Sequence, residues 1–268
     1  MKRNTTSGTY KTISYTLIHG KKQLIIIFPR AGAVFASHRT LVYGLHTFGS
    51  VLFIQSGYFG ISKAGKQKEH MTMDAFRTNL HDLVKTLGYK KIILIGESVG
   101  GMHALHYASC YVDDVTMVML SNPALYKPRW IYTHFLVPLL SFGLKTSPDK
   151  VLTGVGKLLK LIPKKSSKEL GGAFIAMSQT VGAISYLSCI REIVDFKNIY
   201  ETAPVADVLQ KTTVLNGQQD KIFDFLCNRD YCKKSVHYKE ILSAGHHVID
   251  IHVHEVIRTL NHGIACFL

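Results

Sequence analysis

Short apolar runs recur along the chain and alternate with segments in which apolar residues have helical spacing. Continuous apolar runs of strand length, bounded by turn residues, are typical of strands that are buried on both faces. Strands are predicted at 24–28, 51–54, 92–95, 115–120, 212–216 and 235–242. Helices are predicted at 37–45, 73–87, 99–108, 151–161, 172–181 and 253–260. This alternation predicts an α/β fold, with a mostly parallel sheet and helices on both faces.

The N-terminal segment has a looser alternation than the rest. Residues 9–17 alternate between apolar and polar side chains, and the sequence HGKK at 19–22 has the composition of a turn. The buried strand predicted at 24–28 follows directly. The pattern predicts a β-hairpin with its turn at 19–22.

The strand pattern stops in the middle of the chain. Between residues 126 and 200 helical stretches follow one another, separated by proline, glycine and serine, and the strand pattern resumes at residue 212. One α/β domain with a helical insertion is the economical interpretation. We therefore predict a core made of residues 1–125 and 201–268, with the insertion at 126–200.

Composition narrows the class of protein. A hydrophobic content of 47% with 19% charged residues is ordinary for a soluble globular chain of 268 residues. The N-terminus lacks the apolar core of a secretory signal, and the apolar segment 131–144 is shorter than the roughly 20 residues that span a bilayer. Five scattered cysteines without CxxC spacing argue against a disulfide framework and a zinc site. We expect a cytoplasmic protein without metal or cofactor.

The formal net charge of +14 is unusual, because a field of that size attracts nucleic acid, anionic lipid or acidic proteins. Lysine and arginine are nevertheless spread along the chain, apart from small clusters such as those at 21–22, 90–91 and 164–165. The sequence has no zinc finger, aromatic RNA-binding motif or basic-region helix. A solvated basic surface is therefore favoured and no nucleic-acid partner is expected, while peripheral contact with anionic lipid or an acidic carrier protein stays open.

A serine stands between two glycines where the strand predicted at 92–95 meets the helix predicted at 99–108. The sequence there is GESVGG, residues 96–101. A G-x-S-x-G match alone is a weak signal, but a preceding strand and a following helix give it structural meaning. Such a turn strains the serine backbone, and the first N–H groups of the helix can stabilise developing negative charge. Ser98 is the candidate nucleophile, and the Val99 N–H is a candidate oxyanion donor.

A serine hydroxyl needs a base to take its proton, and the base needs an acid to fix its tautomer. In this architecture the acid follows a late strand and the histidine follows the last strand. Asp220 comes after the strand at 212–216, and His246 comes after the last predicted strand. Each has an ordinary alternative, since Asp220 could cap a helix that begins near Lys221 and the chain has 14 histidines. Together the three contexts favour a triad of Ser98, Asp220 and His246.

Four segments resemble the α/β-hydrolase superfamily, in particular its capped, lipase- and esterase-like branch. The likeness runs over nearly the whole chain. The segments are QSGYFGIS at 55–62, IILIGESVGGMHALHYA at 92–108, VLNGQQD at 214–220 and SAGHH at 243–247. They are similar to the family's turn after an early strand, its nucleophile segment, its acid segment and its histidine segment.

The resemblance implies an α/β-hydrolase fold in which the insertion at 126–200 is a helical cap. It also implies that Ser98 is the nucleophile, Asp220 the orienting acid and His246 the general base. His247 is the second choice for the base, since the family histidine usually follows a glycine directly. The apolar residues of the cap are numerous enough to line a pocket for an acyl chain.

The sequence departs from the family pattern at the second oxyanion donor. The family commonly ends its early strand with His-Gly, whereas residues 28–31 read FPRA here. Proline has no N–H, so the second donor is predicted to be the Arg30 N–H, with Ala31 as the alternative. For the Arg30 side chain, a solvent-facing position is favoured over one that grips a carboxylate or phosphate of the substrate. Tyr58 and Glu97 are assigned structural roles.

These features favour a serine hydrolase that cleaves an ester or thioester through an acyl-enzyme, on a small substrate with an apolar acyl chain. Carbon–carbon hydrolases, cofactor-free haloperoxidases and iminopeptidases share the triad and stay open. Serine at this turn disfavours the epoxide-hydrolase and dehalogenase branches, which use aspartate there. Two further alternatives are a thioesterase or acyltransferase that acts on an acidic carrier or anionic lipid, and a non-catalytic ligand receptor on the same fold.

Overall fold

The computed structural model describes residues 4–20, 23–30, 33–56, 73–125, 148–163, 205–220 and 237–267. The strands are β1 (Thr5–Tyr10), β2 (Ile13–Ile18), β3 (Leu24–Phe28), β4 (Ser50–Ser56), β5 (Ile92–Glu97), β6 (Val115–Ser121), β7 (Thr212–Gly217) and β8 (His237–Ile241). The helices are α1 (Arg39–Leu45), α2 (Met73–Thr86), α3 (Val99–Cys110), α4 (Pro148–Leu161), α5 (Val205–Gln210), α6 (Val248–Ile251) and α7 (Val253–Phe267), and a 3₁₀ helix (Phe35–His38) precedes α1.

The eight strands form one sheet in the order β1-β2-β4-β3-β5-β6-β7-β8. The pairs β1–β2 and β2–β4 are antiparallel, and all pairs from β4 to β8 in that order are parallel. The predicted α/β fold with a mostly parallel sheet is therefore confirmed. In such sheets functional groups gather at the carboxyl ends of the strands.

The N-terminal hairpin differs from the prediction. β1 turns into β2 at Lys11 and Thr12, inside the segment that the pattern predicted as one strand. Lys11 has a φ of 50°, a conformation that glycine or asparagine usually marks in a sequence. β2 then pairs with β4 rather than with β3, so the predicted hairpin turn at 19–22 is wrong.

Successive residues of the central strands belong to two separate cores, as the period of two in a strand requires. Ile26 packs with α2 and α3 on one face of the sheet, and Ile27 packs with α1 and α7 on the other. Phe76 and Tyr107 are among the largest fully buried side chains of the first core. Helices therefore cover both faces, as predicted.

The predicted cap at 126–200 falls largely outside the described residues. The structure describes 148–163 of it, which contain α4. The helix predicted at 172–181 and the side chain of Tyr58 lie outside the described part of the chain. The division into core and cap therefore stays a prediction. Within the described ranges, no helix is long and apolar enough to cross a membrane.

Candidate active site

Ser98 occupies the turn between the end of β5 and the start of α3. Its φ of 54° and ψ of −122° lie in a region that residues with a Cβ rarely adopt, at a cost of about 1–3 kcal/mol. Two hydrogen bonds hold this turn against the end of β6. The Ser98 N–H donates to the carbonyl of Ser121 at 3.0 Å, and the Ser98 carbonyl accepts from the N–H of Ala124 at 2.8 Å. The structure therefore maintains the strain that the motif predicts.

Two glycines provide the space that this turn requires. A Cβ on Gly96 would lie 2.6 Å from the Cα of Gly101. A Cβ on Gly100 would lie 2.0 Å from the carbonyl oxygen of Phe28 and 2.6 Å from that of Pro29. The first turn of α3 therefore lies directly against the carboxyl end of β3, next to the segment that carries the predicted second oxyanion donor.

The predicted acid and base are brought together by the ends of β7 and β8. The Nδ1 of His246 lies 2.8 Å from Oδ2 of Asp220, and both side chains are buried. A carboxylate only accepts hydrogen bonds, so Nδ1 carries the proton and Nε2 is the acceptor. This is the tautomer in which a histidine can take a proton from a hydroxyl group.

Asn122, which sequence reasoning did not identify, joins the acid and histidine loops. Its Nδ2 donates to the carbonyls of Gly245 at 2.8 Å and His246 at 2.9 Å, and its Oδ1 accepts from the N–H of Gly217 at 2.7 Å. The residue is fully buried and has a φ of 41°, which asparagine tolerates better than most residues. One side chain therefore fixes two loops at once.

The carboxyl end of β6 consequently connects all three predicted triad residues. Ser121 accepts the N–H of Ser98, and the next residue, Asn122, holds the backbone of His246 and the turn before Asp220. The sequence marks the position of Asn122 but not its partners. The segment SNPA at 121–124 places an asparagine directly after an apolar strand, at the sheet edge where sites form.

We expect Asn122→Ala to lower the free energy of unfolding by about 2–4 kcal/mol, because it leaves two buried backbone groups and one half-buried one without their partners. It should also lower activity, since the loops of Asp220 and His246 lose their common anchor. Urea unfolding measures the first effect. Asn261→Ala, at an exposed position on α7, is the control. Equal stability of the two variants would contradict this role.

A second buried polar cluster lies directly beside Ser98. The Glu97 side chain is fully buried, and its Oε2 accepts from Nη1 of Arg30 at 3.2 Å and from Nε2 of His38 at 3.0 Å. Nδ1 of His247 lies 3.9 Å from Oε1, which is beyond hydrogen-bond distance. Burial opposes ionisation, but His247, His38 and Arg30 together hold the pKa of the Glu97 carboxyl well below its usual range.

This cluster corrects the expectation for the Arg30 side chain. The side chain is 20% exposed and pairs with Glu97, so the solvent-facing position favoured from the sequence is wrong. A long-range pair between residues 67 positions apart has no local signal in the sequence. The structural role assigned to Glu97 agrees with these contacts.

The predicted oxyanion donors lie on two adjacent elements. Val99 is the first residue of α3, so its N–H has no acceptor within the helix. Arg30 follows Pro29, whose carbonyl is in close contact with Gly100. The alternative donor Ala31 lies outside the described residues. The assignment of both donors stays a prediction.

The depressed pKa of Glu97 predicts a pH effect on stability. Because the folded carboxyl has a pKa below the unfolded value of about 4.3, its charge stabilises the fold above that pH. This contribution is lost as the pH falls toward the folded pKa. Between about pH 5 and pH 3, urea unfolding should therefore show a steeper loss of stability in the wild type than in Glu97→Gln.

The matched control for this pH series is Glu240→Gln, because Glu240 accepts from the neutral side chain of Gln218 at the surface. Its profile should follow that of the wild type. Parallel pH profiles for Glu97→Gln and the wild type would show that the carboxyl of Glu97 titrates alike in the folded and unfolded protein.

In the parts of the chain that the structure describes, no group of three or more histidine, cysteine, aspartate or glutamate side chains is arranged to hold a metal ion. What the described site offers is a strained serine at a strand-to-helix turn, with a histidine–aspartate pair at the ends of two later strands. This combination on a mostly parallel sheet defines the class of α/β hydrolases. The chain belongs to the α/β-hydrolase fold family, whose model matches residues 25–253.

Individual relatives are distant. Epoxide hydrolase 3 of Xenopus tropicalis is 28% identical over 188 residues, which cover 62% of this chain and 50% of that protein. The chain thus spans about half the length of the curated relatives it matches. A carboxylesterase structure from Nitrososphaera gargenis is similar with a TM-score of 0.70 at 14% identity over 98% of each chain. A bromoperoxidase from Bacillus anthracis has a TM-score of 0.62 at 17% identity, over 98% of this chain and 100% of its own.

Proposed function

We propose that the protein is a serine hydrolase that cleaves an ester or thioester through an acyl-enzyme, with Ser98, Asp220 and His246 as its triad. The observation that carries the proposal is the buried pair of His246 and Asp220, whose geometry leaves Nε2 as the acceptor. Membership of the hydrolase family supports it. The strained backbone of Ser98 supports it as well, because strain of this kind gathers at functional sites.

In the proposed reaction the Oγ of Ser98 attacks the carbonyl carbon, and its proton passes to Nε2 of His246. Asp220 holds the imidazole in the required tautomer and stabilises the positive charge that forms. The N–H groups of Val99 and Arg30 donate to the oxyanion. Collapse of the tetrahedral intermediate releases the alcohol or thiol, which takes the proton from His246. Water then hydrolyses the acyl-enzyme by the same steps and restores the Ser98 hydroxyl.

The test is turnover of a p-nitrophenyl ester series, from acetate to palmitate, together with labelling by a fluorophosphonate. Hydrolysis and labelling are both expected, and the preferred chain length measures the depth of the acyl pocket. A protein that neither hydrolyses any ester nor takes the label would contradict the proposal. That result would favour the non-catalytic receptor, which ligand binding without turnover would then support.

The names of the curated relatives favour a second candidate, hydrolysis of an epoxide. The residue at the nucleophile turn argues against it, because a serine oxygen that opens an epoxide forms an ether with the substrate, and water does not readily cleave an ether. Styrene oxide in the same assay separates the two reactions. Turnover of styrene oxide without turnover of any ester would replace the first proposal.

The formal net charge of +14 favours one refinement of the substrate, an acyl group on an acidic carrier protein or on anionic lipid. Attraction between exposed charges is screened by salt, with a Debye length of about 10 Å at 0.1 M ionic strength. Turnover of such a substrate should therefore fall as salt is added, while turnover of a neutral p-nitrophenyl ester should not. Equal salt dependence for both substrates would remove the reason for this refinement.

A further inference from the structure

We propose that Glu97 is a positioning residue for hydrolysis, which acts through Arg30 to hold the second oxyanion donor against the nucleophile turn. This inference rests on the proposed function and deepens it. Glu97 contributes no atom to the reaction, but it directly precedes Ser98 and is fully buried. Burial of a charged group costs free energy unless partners compensate it, so the partners of Glu97 indicate its role.

Three of the contacts made by Pro29 and Arg30 define the position of this segment beside the nucleophile turn. The preceding residue, Pro29, lies against Gly100 so closely that a Cβ there would be 2.6 Å from the Pro29 carbonyl oxygen. The Arg30 carbonyl accepts from the N–H of Ala33 at 3.2 Å. The Arg30 guanidinium donates to Oε2 of Glu97 at 3.2 Å. Of these contacts, the ion pair is the one that ties the Arg30 segment directly to the residue before the nucleophile.

His38 makes the carboxylate a fixed anchor rather than a mobile one. Its Nε2 donates to the same Oε2 at 3.0 Å, and its Nδ1 lies 3.0 Å from the hydroxyl of Ser37. The His38 side chain is fully buried and its ring packs at 5.3 Å from the ring of Phe53. His38 is the last residue of the 3₁₀ helix. Because it also binds the Glu97 carboxylate, that carboxylate has a defined position when Arg30 contacts it.

The cluster also reaches the loop of the general base. Oε1 of Glu97 has no hydrogen-bond partner among the described residues, and Nδ1 of His247 lies 3.9 Å from it. The ring of His247 contacts that of His246, with their centroids 5.4 Å apart. This oxygen therefore lies near the residue that follows the proposed base. One carboxylate thus lies between the segment of the second oxyanion donor and the histidine loop.

An anchor for an oxyanion donor acts on the transition state, so its loss lowers kcat more than it raises KM. Removal of a whole oxyanion donor costs roughly a hundredfold to a thousandfold in kcat. Displacement of a donor should cost less, so we expect Glu97→Gln and Arg30→Met each to lower kcat roughly tenfold to a hundredfold. KM should stay within about threefold of the wild-type value. Arg30→Lys keeps the charge and should recover part of the loss.

The experiment measures kcat and KM on the ester that the wild type prefers, per site labelled by fluorophosphonate, so that misfolded protein is not counted. Phenylboronic acid is the second probe, because its boron forms a tetrahedral adduct with the serine oxygen. Its inhibition constant should rise by about the factor by which kcat falls. In the double variant the two losses should not multiply, because both changes break one interaction.

The matched controls are Glu255→Gln, Arg258→Met and their double variant, since Arg258 forms an ion pair with the half-buried Glu255 at 2.7 Å on α7. Glu255 also pairs with Lys239 of β8. The control variants should leave kcat and KM unchanged. If the wild type turns over but Glu97→Gln and Arg30→Met match these controls, or raise only KM, the inference is wrong and the proposed function stands. A wild type that neither turns over nor labels would refute both. If Glu97→Gln does not fold, the kcat and KM of Arg30→Met and Arg30→Lys test the inference in its place.

Discussion

Ser98→Ala is expected to lower kcat for the preferred ester by roughly four to six orders of magnitude. Without the hydroxyl no acyl-enzyme can form, and residual turnover comes from water that the site orients. Binding should change little, because the hydroxyl group that is removed is small. Steady-state kinetics measures the loss, and labelling by fluorophosphonate should vanish with it.

The control for this variant is Ser109→Ala, which removes a buried hydroxyl from the last part of α3, where it has no hydrogen-bond partner among the residues that the structure describes. It should label and turn over like the wild type. If Ser98→Ala keeps its activity, the proposed triad is refuted. The His246–Asp220 pair would then need another nucleophile, and activated water would be the first to test.

The second large effect is on stability, and its direction is opposite to what helix propensity predicts. An exposed helical glycine gains about 0.5–1 kcal/mol when it is replaced by alanine. At Gly100 the new Cβ would lie 2.0 Å from the carbonyl oxygen of Phe28, a backbone atom that cannot rotate away. We expect Gly100→Ala to lower the free energy of unfolding by about 3 kcal/mol or more, at the upper end of overpacking costs.

Gly154 gives the matched control, because it is also a helical glycine and no described atom lies within 4 Å of its added Cβ. Gly154→Ala should therefore stabilise the protein slightly. Urea unfolding of both variants separates the steric effect from propensity. If both are stabilised, α3 does not approach β3 as closely as the structure shows, and the oxyanion geometry loses its support.

The parts of the fold that the sequence predicts are those with local signals. Each strand from β3 to β8 lies within two residues of its predicted bounds, because an apolar run bounded by turns marks a buried strand. The turn at Lys11 has no such mark, since a lysine takes the conformation that glycine normally signals. The pairing of β2 with β4 also depends on contacts far apart in sequence. The short helices α5 and α6 have too few residues for a helical period to be recognised.

The candidate site divides in the same way. Ser98, Asp220 and His246 can be predicted because each follows a strand in a motif of several residues, and the structure brings the last two into hydrogen bond. The contacts of Asn122 and the pairing of Arg30 with Glu97 could not be predicted, because they depend on which strand ends meet in space. A side chain whose function is to hold other groups has no motif of its own. Its contacts identify it.

Under the proposed function, the connection between β6 and the histidine loop determines when activity can appear during synthesis. Asn122 and His246 are 124 residues apart, and the loop of His246 follows the last strand of the sheet. During translation, domains form as their residues leave the ribosome. A nascent chain that ends before β8 therefore contains Ser98 but lacks His246, the proposed base. Ester hydrolysis would then require that all strands of the sheet have been synthesised. An incomplete chain in the cell would have no esterase activity of its own.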